Sequence, residues 1–223
     1  MNISVIIRTL NEEDWIGHTI QSVLDFFSKP EIIIVDNYST DQTLNIVKHF
    51  KKDPNLNDID NPQYTSIKTL NIKDYTPGKS LNLGIKNSTN DYILIISSHC
   101  VLKNININKI YTNLENYVCI FGNQIPVWKG KRIEKRYVWS HFKDKEVINM
   151  YSEMEKRYFM HNALAFYKKN TLIDYPFDTN LVGKEDRYWV NDMIKEGKKT
   201  FYDPEFSAYH HYTINGNTWK GMG

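Results

Sequence analysis

The stretch EIIIVDNYSTDQT, residues 31–43, runs through four aliphatic side chains into an acid, Asp36, and then turns abruptly polar. A short continuous apolar run suits a strand buried on both faces, as in a parallel sheet. Open α/β sheets bind their ligands beyond the carboxyl ends of such strands. Asp36 is therefore a candidate ligand contact, a carboxylate suited to accept hydrogen bonds from a nucleobase or ribose. The competing reading is an acid that only serves the turn after the strand.

Similar runs flank it. ISVII at 3–7 and YILII at 92–96 read as further buried strands, and TSIKTLNI at 65–72 as a more alternating one. Between the first two lies a helix, with Asn11 as its cap, acids at 12–14 and a stripe of Ile16, Ile20, Val23, Leu24 and Phe27. After Asp36, Ser39 to Gln42 has the form of a capping box, followed by Leu44, Val47 and Phe50 at helical spacing. A third helix is expected from Lys79 to Lys86. The order β-α-β-α-β-α-β over the first hundred residues predicts a doubly wound α/β half. Residues 53–64 read as a polar loop, and beyond residue 125 fewer strands and more loops are expected. One domain over 1–223 is the economical organisation.

The 223 residues, 41% hydrophobic and 24% charged, are enough for a soluble globular domain, and a net charge of +2 gives no argument for nucleic acid. Cys100 and Cys119, without metal-type spacing, are expected as buried thiols in a reducing compartment. The N-terminus lacks the pattern of a signal peptide, and no run approaches the ~18 apolar residues of a spanning helix. The expected location is the cytoplasm, at the inner face of the cell membrane if any membrane is met.

Three strand ends carry the candidate chemistry: Arg8-Thr9-Leu10-Asn11-Glu12, Asp36-Asn37 with Asp41 following, and Ser97-Ser98-His99-Cys100. Their convergence on one cleft is more informative than any one of them. TPGKSLNLG at 76–84 is no P-loop, because the first glycine would fall at Lys73. Lys79 could still reach a phosphate.

RTLNEE, IIIVDNYSTDQT, PGKSLNLGIKNSTNDYILIISSHCV and GKEDRYWVNDMIKEGKKTFYDPEFSAYHHY occur in the order seen in family 2 glycosyltransferases, and the chain resembles that family from about Ser4 to His211. The resemblance implies a single GT-A (Rossmann-like) domain with a mixed, mostly parallel central sheet flanked by helices. Residues 1–102 would form its nucleotide-binding half and 103–223 its acceptor-binding half. It implies an inverting hexosyltransferase-type enzyme that uses a nucleotide-sugar donor and a glycan or lipid-linked saccharide acceptor in surface polysaccharide or glycoconjugate synthesis. Carried over, Thr9, Asn11, Glu12, Asp36, Lys79, Ser97 and Ser98 would line the nucleotide site.

Ser97-Ser98-His99 falls where the family has Asp-x-Asp, so both metal-holding acids are missing. Either His99, with His210 or His211, is the metal set, better suited to Mn²⁺ than to Mg²⁺ because hard ions prefer oxygen, or the metal is weak or absent and a lysine or arginine neutralises the phosphates. Adjacent strand residues face opposite ways, so only one of His210 and His211 should reach the site. In GKEDRYW, Asp186 takes the family's position for the catalytic base, with Glu185 beside it. Asn162 is expected to line the acceptor pocket. Trp128, Trp139, Tyr158 and Trp189 are candidates for stacking on sugars. The basic run 129–136 is a candidate for an anionic membrane surface. The alternative function is a catalytically silent binding domain within a larger assembly, which the lost acids favour. A nucleotidyltransferase would need a glycine-rich loop that RTLNEED lacks.

Overall fold

The computed structural model describes residues 2–51, 66–134 and 137–213. The expected loop 53–64 and the end of the basic run lie outside them. The described elements in chain order are β1 (Ile3–Thr9), α1 (Ile16–Phe26), β2 (Glu31–Asp36), α2 (Thr43–His49), β3 (Ser66–Asn71), α3 (Pro77–Asn87), β4 (Tyr92–Ser97), β5 (Cys100–Asn104), α4 (Ile107–Leu114) and β6 (Cys119–Trp128). There follow β7 (Lys131–Arg132), β8 (Val147–Ile148), β9 (Tyr151–Ser152), β10 (Arg157–Tyr158), β11 (Leu164–Lys168), α5 (Lys169–Asp174), α6 (Glu185–Lys195) and β12 (Thr200–His211).

The β-α alternation of the first half is as expected. The second half holds more strand than expected: β11, β6, β12 and β5 extend one sheet in the order β3-β2-β1-β4-β11-β6-β12-β5. β11 and β5 run against their neighbours, while the remaining strands of this path share one direction. The sheet is buried on both faces. Val5 and Ile7 of β1 pack into one apolar layer with α1 and α4, and Ile6 into the opposite layer with α3 and α6. This two-sided burial is why the strands read as continuous apolar runs.

Two expected helix caps are corrected. α1 begins at Ile16, not on Asn11, and α2 begins at Thr43 with no side-chain cap. The residues that looked like caps instead lace two loops together. Asn11, Glu12 and Glu13 give their backbone N–H groups to Ser39 Oγ, Thr43 Oγ1 and Asp41 Oδ2, at 2.9, 2.8 and 3.1 Å. In return Thr40 N and Gln42 N donate to Asn11 Oδ1 and Glu13 Oε2, both at 2.7 Å. Asn11 adopts a left-handed φ of 51°, which asparagine tolerates. The lacing ties the loops after β1 and β2 to each other at the carboxyl end of the sheet.

Candidate active site

β1, β2 and β4 end side by side, with Thr9 in register with Asp36 and Arg8 with Ser97. Asp36 is fully buried, and its carboxylate accepts from Ser39 Oγ at 2.6 Å and Ser39 N at 3.0 Å. It therefore holds the turn after β2. Thr9 is buried in the same place and its Oγ1 has no partner in the protein. Ser97 is half-buried. Ser98 is buried, and its carbonyl accepts from Thr19 Oγ1 at 2.8 Å. Lys79 is exposed at the start of α3, with its backbone N–H capped by Thr76.

The β4–β5 turn carries His99, and the end of β12 runs antiparallel beside β5, with His211 N donating to His99 O at 2.9 Å. As alternation demands, the two histidines part. His210 Nε2 lies 3.0 Å from His99 Nε2, whereas His211 stacks on Trp15 with ring centroids 3.6 Å apart. His211 thus stands outside the imidazole pair. On the far side of His99, its Nδ1 meets Glu12 Oε1 at 2.9 Å. Glu12 is buried and faces a histidine where a nucleotide contact was expected. On the far side of His210, Nδ1 meets Gln124 Oε1 at 2.9 Å, and Gln124 Nε2 meets His161 Nδ1 at 3.0 Å. Burial lowers His210 well below the usual imidazole range and takes His161 to about 3, so both are neutral at pH 7.

α6 opens the opposite side of the cleft with Glu185 and Asp186, both buried. Asp186 Oδ2 accepts from Arg187 Nη1 at 2.7 Å and Asn162 N at 3.1 Å, and Oδ1 from Arg187 N at 2.8 Å. Burial alone would raise its pKa, but the Arg187 charge and these hydrogen bonds hold it below the ordinary value. Glu185, whose Oε1 is 3.3 Å from Arg8 Nη1, is raised instead, with burial outweighing Arg8. The Tyr167 hydroxyl donates to Asn162 Oδ1, and Asn162 Nδ2 is buried without a partner.

Trp139 and Trp189 are core side chains, not sugar platforms: Trp139 Nε1 donates to Tyr212 OH and Trp189 Nε1 to Tyr175 O, both at 2.7 Å. Trp128 is partly exposed, with Lys129 over its ring, and Tyr158 is half-buried. Gln124, His161 and Arg187 were not singled out in the sequence, and Arg8 was named only as part of the first strand end. Two had a readable signal, since a charge at the end of the run ISVIIR and an amide inside CIFGNQIPVW both break apolar patterns.

The acids Asp-x-Asp would supply are absent, and among the described residues no group of three or more His, Cys, Asp or Glu could hold a metal. The donor set that remains is the His99–His210 pair. Their Nε2 atoms lie 3.0 Å apart, and imidazole nitrogen suits a borderline cation better than a hard one.

A sequence profile described as glycosyl transferase family 2 matches residues 4–175. The "Dolichyl N-acetyl-alpha-D-glucosaminyl phosphate 3-beta-D-2,3-diacetamido-2,3-dideoxy-beta-D-glucuronosyltransferase" of Methanococcus voltae is 26% identical over 233 residues, covering 93% of this chain and 66% of its own length. Among solved structures, Staphylococcus aureus TarS 1–349 in complex with UDP-GlcNAc superimposes with a TM-score of 0.71 at 20% identity, over 99% of this chain and 61% of that one. The mannosyltransferase PcManGT of Pyrobaculum calidifontis, in complex with GDP-Man and Mn²⁺, gives 0.65 at 15% identity, over 96% and 58%. The structures share the fold. This chain spans less than two thirds of the length of each of these three relatives.

Proposed function

The chain belongs to glycosyl transferase family 2, and from that premise we propose that it moves a sugar from a nucleotide-sugar donor to a saccharide or lipid-linked saccharide acceptor in surface glycan synthesis. The observation that carries the reading is the Arg8–Glu185 ion pair at 3.3 Å. It ties the acids of α6 to the strand ends where a nucleotide would lie, 177 residues away in sequence. Donor and acceptor sides thereby share one cleft.

In the proposed reaction Asp186 takes the proton of the acceptor hydroxyl. The acceptor oxygen forms a bond to the anomeric carbon, and the bond from that carbon to the diphosphate breaks on the opposite face, its electron pair leaving with the nucleoside diphosphate. Asp186 is the member of the pair kept ionised, and Oδ1 accepts only one of its three hydrogen bonds, so a lone pair is left for the proton. Glu185 is held by Arg8 and orients the acceptor. Thr9 Oγ1 and Asn162 Nδ2, the buried atoms without partners, are groups that donor and acceptor could satisfy. His99 and His210 would hold a divalent cation, Mn²⁺ in preference to Mg²⁺, which when bound offsets the charge of the diphosphate.

The dolichyl-phosphate substrate in the name of the Methanococcus relative supports a lipid-linked acceptor. No described helix is long and apolar enough to cross a membrane. We place the enzyme at the cytoplasmic face, with exposed Lys129 to Arg132 toward anionic lipid.

The test is calorimetric and thermal-shift titration with UDP, GDP, CDP and dTDP, each with Mn²⁺, Mg²⁺ or EDTA. UDP is the expected ligand, since TarS was solved with UDP-GlcNAc. At a hundredfold excess over its Kd it should add about 2.7 kcal/mol of apparent stability. Failure of every nucleotide would leave the silent-domain reading in its place.

A further inference from the structure

The turn between β9 and β10, residues 153–156, sends one acid inward. Glu153, Met154 and Lys156 are exposed, as turn residues usually are, but the Glu155 side chain is only 7% exposed. A carboxylate buried without a partner is costly, and this turn is built to hold one there. Lys156 takes a left-handed φ of 51°, and Glu155 N donates to Ser152 Oγ at 2.9 Å. Ser152 is buried and meets His141 Nε2 at 2.5 Å. Burial keeps the His141 ring neutral, and its Nδ1 carries the hydrogen because it faces the Val138 carbonyl. Nε2 therefore accepts from Ser152, which leaves the serine oxygen to receive Glu155 N.

Inside, Glu155 faces two arginines. Its Oε2 lies 3.7 Å from Arg157 Nε, and its Oε1 lies 3.9 Å from Arg187 Nε. These are ion-pair distances but too long for hydrogen bonds, and Glu155 Oε2 and Arg187 Nε are both buried without a hydrogen-bond partner. Through Nη1, Arg187 grips Asp186 Oδ2 at 2.7 Å. One guanidinium thus lies between two buried acids, held tightly by one and loosely by the other. Consecutive residues of a helix do not face each other, so Arg187 reaches its own neighbour only if it is held there. Phe159 lies 4.5 Å from the guanidinium and stacks its ring on His141 at 4.0 Å. The hairpin is also fixed to α6, since Tyr158 N donates to Asn191 Oδ1 and Asn191 Nδ2 to Tyr158 O, both at 3.2 Å.

We propose that Glu155 is a positioning residue for Asp186 and acts through Arg187. Its charge balances the guanidinium at Nε, so that Arg187 occupies Oδ2 of Asp186 without drawing the whole carboxylate onto itself. Oδ1 then stays aimed at the acceptor hydroxyl. Two acids, Glu155 and Asp186, and two arginines, Arg157 and Arg187, close the charge balance of the cluster. The proposal rests on the transferase reading, in which Asp186 is the base.

The experiment is a double-mutant cycle on the full chain, Glu155→Gln with Asp186→Asn, read in denaturation midpoint and in turnover. Turnover is the release of nucleoside diphosphate from UDP-, GDP-, CDP- and dTDP-sugars with water as acceptor. Glu155→Gln should lower kcat by about 10–100-fold, the cost of displacing a reacting group by about an ångström, while KM for the donor stays at the parent's value. Glu155→Asp, which keeps the charge, should recover part of the loss. In the Asp186→Asn background, Glu155→Gln should slow turnover no further, because the group it positions is already gone. The midpoint should fall by more in the double variant than the two single falls add up to, because Arg187 is then buried facing neither acid.

Additive midpoints would overturn the proposal and leave Glu155 serving the turn alone. A Glu155→Gln chain that turns over at the parent's rate would do the same, as would a double variant slower than Asp186→Asn. Each of these results leaves the transferase reading intact. Should circular dichroism show the double variant unfolded, the split between kcat and KM in Glu155→Gln decides by itself. If the parent releases no nucleoside diphosphate from any of these sugars, the transferase reading falls and takes the positioning role with it, whatever the midpoints show.

Discussion

Asp186→Asn should lower kcat by about 10²–10⁴-fold while nucleotide affinity stays within a few-fold of the parent, the range a positioned general base supplies. An amide of the same shape can still accept a hydrogen bond through its oxygen but cannot carry the acceptor's proton away. The substitution also removes a charge from a buried pair. Asp186 and Arg187 are both almost fully buried, with Arg187 lying over the Phe159 ring at 4.5 Å. Leaving one partner of a buried pair alone costs about 3–5 kcal/mol, so the comparison must be made well below the variant's melting temperature, with UDP binding as proof of fold. Glu185→Gln should cost less in kcat and more in KM, because its charge meets Arg8 rather than the reacting hydroxyl.

The pH profile separates the two acids. A base works only when deprotonated, so the rate falls as pH drops through its pKa. Asp186 is held below its ordinary 3.8, whereas Glu185 is raised above 4.5. An acid limb below pH 3.8 belongs to Asp186, and one above pH 4.5 would transfer the role to Glu185. Stability carries the same signature. The depressed Asp186 contributes stability above its ordinary pKa that is lost as pH falls through the folded value. The raised Glu185 works in the other direction, costing stability as pH rises through 4.5 and it must ionise in a buried place.

Much of this arrangement was legible because the first half of the chain is periodic. Runs such as ISVII and EIIIV can only be strands buried on both faces, and the strand ends then had to converge. What sequence could not reveal was the partner of each polar side chain. Asn11 and Ser39 have the residue types of helix caps, yet both are spent on lacing two loops, since a backbone N–H from the neighbouring loop offers the same hydrogen bond as a helix N-terminus. Glu12 reads as a helix-start acid, and only the pairing of β1 with β4, which brings the β4–β5 turn beside it, gives it a histidine to face. The second half was misread as loop-rich because β6 and β12 are long strands interrupted in pattern by Gly122, Pro126 and Pro204 rather than clean apolar runs.

Gly122→Ala should lower the melting temperature by about 2–12 °C, from about 1–3 kcal/mol of overpacking spread over a domain of this size. Gly122 lies on β6 between β11 and β12, in register with Asp203, at the point where the β12 register slips between Asp203 and Ser207. The slip brings the Phe206 carbonyl over the glycine. A Cβ there would sit 2.3 Å from that oxygen and 2.6 Å from Leu164 Cδ2. The leucine tip could yield, but the carbonyl belongs to backbone pinned nearby, where Lys109 bridges Asp203 and Glu205 at 3.0 and 3.2 Å. The strain therefore travels along the strands. Gln124 is two residues on from Gly122 and His210 a few beyond the slip, so their 2.9 Å hydrogen bond should loosen with it. Mn²⁺ affinity with UDP should fall together with stability. Gly183→Ala is the contrast: a Cβ there meets nothing within 4 Å although the loop leads into Glu185, so melting should shift by no more than about 1–2 °C, the effect of a surface change. A Gly122→Ala chain that melts with the parent would show that β12 can slide at its slip, and would break the argument that this bulge sets the spacing of the histidines.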